Sequence, residues 1–128
     1  MTSVLNVDTI ADKAGTGPVA LTKQHAAKVY SLWDMGDLSG TGGTTGIDTS
    51  FNVSSMDDDG TGDFGINFTN SFSSVNYTAT SAASSGARRV LTRNGTVTAS
   101  AMDGLTRNDS NANADADGCS VTMHGDLA

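Results

Sequence analysis

Ile47-Asp-Thr-Ser-Phe-Asn-Val-Ser-Ser-Met56, Asp57-Asp-Asp-Gly-Thr-Gly-Asp63 and Phe64-Gly-Ile-Asn-Phe-Thr69, with Val75-Asn-Tyr-Thr-Ala79 a little further on, decide the fold class. Apolar residues fall on every second position on both sides of a Gly/Asp segment. Phe64, Ile66 and Phe68 alternate with Gly65, Asn67 and Thr69. That is the period of a half-buried β-strand, because successive side chains of a strand point to opposite faces. The acidic Gly/Thr segment between the runs reads as a hairpin loop. Phe51, Val53, Phe64, Ile66 and Phe68 are the expected core.

Working outward, composition points the same way. Ser, Thr, Gly, Asn and Asp supply 70 of the 128 residues, all fourteen acids are Asp, and only three residues are Lys. Asp, Asn, Ser and Gly favour turns and caps over helix interiors, so long helices are not expected. Leu, Ile, Val and Phe total only 23 residues. A core this thin is stabilised when part of the apolar surface packs on other copies of the chain, and a homo-oligomer is expected.

The chain divides into an arm of residues 1–24 and a β-domain of 25–128. Val4, Leu5, Val7 and Ile10 are the apolar residues of the arm, which Gly15-Thr-Gly-Pro18 interrupts. Residues 25–33, with Tyr30 and Trp33, form the first candidate core strand. The Gly/Thr-rich segment 34–46 reads as a flexible loop. A strand over Arg88–Arg93, a turn at Asn94-Gly95 and a return strand over Thr96–Met102 follow. Asp103-Gly104 reads as a turn, residues 108–118 as a polar loop, and Cys119–His124 as the last strand. About seven short strands at this spacing indicate an antiparallel β-sandwich, jelly-roll-like, behind an extended N-terminal arm.

The net charge of −7 argues against nucleic acid or an anionic membrane surface as partner, and only Arg88, Arg89 and Arg93 cluster. No stretch has the length or apolarity for membrane insertion. The first residues show neither the basic start nor the apolar run of a secretory signal, so synthesis and retention in the cytoplasm are expected. Asp57–Asp63 and Asp115-Ala-Asp117 could offer oxygen ligands, but the ligand order of a calcium loop is missing and acidic turns are the plain reading. His25 and His124 read as strand-edge residues, Cys119 as a small buried apolar residue, and Tyr30, Trp33 and Tyr77 as core aromatics. No nucleophile, base and orienting acid are spaced for catalysis. The expectation is a protein without catalytic residues, metal or cofactor.

Ser3-Val-Leu-Asn-Val-Asp-Thr-Ile10, Gly15-Thr-Gly-Pro-Val19 and Leu21-Thr-Lys23 resemble the N-terminal arm of small phage tail-fibre and virion appendage proteins, mostly of marine phages. Ser50-Phe-Asn-Val-Ser-Ser55, Gly60-Thr-Gly-Asp-Phe64, Ile66-Asn-Phe-Thr69 and Asn76-Tyr77 resemble their central hairpin and the strand after it. His124-Gly-Asp-Leu-Ala128 resembles their terminal motif. The pieces cover about half the chain. Segments 34–46 and 80–118 depart from that pattern.

The resemblance implies a homotrimeric β-rich virion protein, assembled in the host cytoplasm. Its arm would dock on another virion structural protein through Val4, Leu5, Val7 and Ile10. Loops diverge most freely at a binding tip. The candidates for contact with a host-surface glycan or protein are therefore Gly40, Thr41, Gly42 and Thr44 in loop 34–46, and Asn108, Asn111 and Asn113 in loop 103–118. Two other readings use the same module. One is a capsid decoration or head-fibre protein that stabilises the shell; the other is a carbohydrate-binding module or glycan hydrolase.

Overall fold

The structure is a computed structural model that describes residues 26–84, 89–92 and 97–128. Among these, eight strands and no helix are found. They are β1 (Val29–Trp33), β2 (Ile47–Phe51), β3 (Val53–Gly60), β4 (Asp63–Phe68), β5 (Thr78–Ala83), β6 (Arg89–Thr92), β7 (Ala101–Arg107) and β8 (Cys119–His124). They form two antiparallel four-stranded sheets, ordered β2-β1-β8-β5 and β3-β4-β7-β6. The chain is an antiparallel β-sandwich.

Alternation selects the buried face of each sheet. In the first, Val29, Ser31 and Trp33 of β1 lie opposite Met123, Val121 and Cys119 of β8, and all six are buried. In the second, Phe64, Ile66 and Phe68 of β4 join Met56, Met102 and Val90. Trp33 and Phe64 meet across the two sheets with ring centroids 5.0 Å apart. A second aromatic cluster closes the far end: Phe72 stacks on Tyr77 at 4.3 Å and meets Phe68 edge-on at 5.3 Å. Such ring pairs add about 0.5–1.5 kcal/mol each beyond the area they bury.

The 47–69 stretch departs from expectation in two places. Its first run is not one strand. Asn52 adopts φ 59°, and the chain there leaves the first sheet for the second. Asn tolerates this left-handed conformation, and its side chain secures the corner. Asn52 Oδ1 accepts from Asn70 N at 2.7 Å, and Asn52 Nδ2 donates to Asn70 O at 3.0 Å. The acidic segment is also not a loop. Asp57, Asp58 and Asp59 belong to β3, and the turn is only Thr61-Gly62.

Two expected core aromatics are displaced. Phe51 is 52% exposed and Tyr30 is 41% exposed. They pair across β1 and β2 on the outer face of the first sheet, with rings 6.0 Å apart. Val53 is partly buried against the core. Asp103-Gly104 is no turn but the middle of β7, and among the described residues of the expected return strand only Ala101 and Met102 are in strand conformation. Gly104 is present because Phe64 lies on it: a Cβ there would sit 2.4 Å from the ring. Strand β5 begins at Thr78, past the Asn76-Tyr77 strand expected there, and runs on through Ser81-Ala-Ala83, which alternates without a large apolar residue. The arm with Val4, Leu5, Val7 and Ile10, His25, Arg88, Arg93 and the Asn94-Gly95 turn lie outside the described residues.

Candidate functional site: the loop end of the sandwich

Strand directions place the loops. Trp33, the last residue of β1, pairs with Cys119, the first of β8; Val29 pairs with Met123. Loop 34–46 and loop 108–118 therefore emerge at the same end of the first sheet. The Thr61-Gly62 turn of the second sheet reaches that end too, since Gly62 O accepts from Thr106 N at 2.8 Å near the end of β7. The opposite end, the foot, holds the start of β1, the Asn52 corner, loop 69–77 and the C-terminal residues. Lys28 N donates to Met123 O there at 2.8 Å, and Phe72 bridges to Leu127. A shallow recess of about 440 Å³ at the foot is lined by Asn76, Thr78, His124, Gly125 and Asp126.

Loop 34–46 is not the free segment its glycines suggest. Met35 and Leu38 are buried. Gly43 and Met56 exchange both backbone hydrogen bonds, at 3.0 and 2.8 Å, and Asp58 N donates to Gly40 O at 2.8 Å. Gly42 N donates to Asp57 Oδ1, while Asn67 Nδ2 donates to Asp57 Oδ2 at 3.0 Å. The loop thus covers the open edge of β3, which would otherwise invite pairing with another chain. Gly40, Thr41, Gly42 and Thr44 remain exposed on it.

Loop 108–118 is tied down as well. Asn111 has φ 63°, and its N donates to Asn108 O at 3.0 Å. Ala112 N donates to Asn108 Oδ1 at 3.0 Å. Arg89 and Arg107, directly opposite on β6 and β7, both donate to Asn111 Oδ1. Gly62 N donates to Asp115 Oδ1 at 2.7 Å, Met35 N to Ala116 O at 3.2 Å, and Ser84 Oγ to Asp117 O at 3.0 Å. The two loops and the turn are joined at one end. Asn111 and Asn113 are exposed there and Asn108 is half-buried.

The carboxylates at this end act as ties within the chain. Asp57, Asp58 and Asp115 each accept a backbone N–H. Among the described residues no three His, Cys, Asp or Glu side chains come together to hold a metal, and no helix is long and apolar enough to cross a membrane.

Two titratable groups have shifted proton affinities. Burial, then the charges of Asp34 and Asp117, push the Cys119 thiol from 9.0 up to about 12. Burial, then Asp103, push the Tyr77 phenol from 10.0 up to about 12. Tyr77 Oη donates toward Thr98 O at 3.0 Å, with Ala101 O at 3.2 Å. In both, the folded state holds the proton more tightly than the unfolded chain does. The stability they contribute is complete below about pH 9 and is lost as pH rises toward about 12. The urea midpoint should fall steadily across that window, and Cys119 should resist alkylation at neutral pH until the chain unfolds.

No family model, curated protein or solved structure matches this chain.

Proposed function

We propose that the chain is a non-catalytic phage virion protein, a homotrimeric tail fibre or appendage. Its arm docks on another virion structural protein, and its loop end contacts a glycan or protein of the host surface. The observation that carries this reading is the polarity of the sandwich. The described chain starts at the foot, where Lys28 joins Met123, while loops 34–46 and 108–118 meet at the other end. An arm anchored to the particle through Val4, Leu5, Val7 and Ile10 turns Gly40, Thr41, Gly42, Thr44, Asn108, Asn111 and Asn113 outward. Binding by linked copies gains from effective concentration, so weak contacts at each tip suffice.

Labelled electron microscopy of intact particles tests the placement. Label at the tail is expected; label on the head overturns this reading in favour of a shell protein. Adsorption of purified protein to host cells tests the loops. Replacing Thr41 and Thr44 by Arg should abolish adsorption at an unchanged melting temperature, since both side chains are exposed. Unchanged adsorption by these and by equivalent Asn111 and Asn113 variants would refute contact at the loop end.

A further inference from the structure

The outer faces of the two sheets differ in chemistry. On the second sheet, the outward positions include Asp57, Asp63, Asp103, Arg89 and Arg107. On the first sheet, two complete cross-strand rows are without charge. One is Phe51–Tyr30–Thr122–Thr80, and the next is Thr49–Leu32–Ser120–Ala82. Charges enter only at the borders: Asp48 at the bulge in β2, and Lys28 at the foot, where His124 also lies. Tyr30, Leu32 and Phe51, three of the large hydrophobic residues exposed on the molecule, gather on these rows. A sheet face left to water is normally the polar face of its strands.

We propose that this outer face of the first sheet is the surface through which copies of the chain pack on one another. A chain of net charge −7 repels its own copies over most of its surface. Two copies can approach closely only where neither brings a carboxylate, because a buried unpaired charge is costly. The two rows provide that surface on every copy, and three copies of the proposed trimer can turn it toward a shared axis. Their aromatic, Leu and Thr side chains are of the type that interdigitates between stacked sheets about 10 Å apart.

The area sets the strength. Four strands ~4.8 Å apart, each about 20 Å long at ~3.3 Å per residue, give on the order of 400 Å². A stable interface takes about 800 Å² from each partner. Association through this face alone is therefore reversible and rises with concentration. The inference deepens the homo-oligomer in the reading above and does not depend on what the loops bind.

Sedimentation of the full chain over a range of concentrations tests it. The natural chain should shift from monomer to oligomer. Leu32→Asp should weaken that association at least about tenfold, with the melting temperature and circular dichroism of the dilute monomer preserved, as expected for a side chain central to an interface. Should Leu32→Asp fail to fold, Thr80→Asp, at an exposed position on the neighbouring row, gives the same reading. A natural chain that stays monomeric at every concentration overturns the proposal. So does association unaltered in a folded face variant. Host-cell adsorption by the loop variants fails or survives separately.

Discussion

Phe64→Ala should cost about 3–5 kcal/mol of folding stability, while Phe51→Ala in the dissociated monomer should cost only about 0.5–1.5 kcal/mol. The two residues look alike in the sequence, each set in an alternating run beside polar neighbours. Phe64 is fully buried, packs against Trp33 at 5.0 Å and rests on Gly104. Removing it leaves a cavity between the sheets that neither can close without breaking register. Phe51 is 52% exposed and stacks on Tyr30. A domain of this size is stable by about 5–15 kcal/mol in all. The loss at Phe64 therefore removes a large part of that margin. Urea denaturation of both variants checks the contrast; equal losses would mean the first sheet's outer face is part of the monomer's core.

Gly62→Ala should be nearly as damaging, at about 2–5 kcal/mol, and its damage should centre on the loop end. Gly62 has φ 66°, which costs an L-residue about 1–2 kcal/mol. Its missing Cβ would also lie 2.5 Å from both Ala114 N and Thr106 O. These are backbone atoms, so relief requires loop 108–118 to move, which adds about 1–3 kcal/mol of overpacking. Gly42→Ala separates the two causes. Gly42 has φ 73°, but nothing lies within 4 Å of its Cβ position, so only the conformational part of about 1–2 kcal/mol applies. Hydrogen exchange should show faster opening around Ala112–Ala116 in Gly62→Ala and not in Gly42→Ala. Equal effects of the two substitutions would show that close approach of the turn to the loop contributes nothing.

The loop end was legible only in part. Gly40-Thr-Gly-Gly-Thr-Thr45 and Asn108-Asp-Ser-Asn-Ala-Asn113 read as loops from their turn residues. That both cap the same end depends on strand direction and sheet order, neither of which leaves a local trace. The mobility expected of 34–46 was misjudged for a similar reason. Glycine composition describes the freedom of an isolated segment, whereas Gly40 and Gly43 spend their backbone groups on the edge of β3. Gly104 was misread as a turn because the sequence near it does not show that an aromatic ring from another strand needs its space.

Alternation alone determined that the chain is all-β, and it identified Phe64, Ile66 and Phe68 as core and Cys119 as a buried thiol. A period of two says which side chains share a face, because the pleat is a property of each strand by itself. It does not say which face another sheet will cover. That choice belongs to the tertiary structure, which turned the chain at Asn52, sent Val53–Gly60 to the second sheet and left Tyr30, Leu32 and Phe51 outside. The physical reason is that burial is settled between distant strands, by the pairing of Trp33 with Cys119 and of Phe64 with Gly104. Those partners are far apart along the chain and meet only once it has folded.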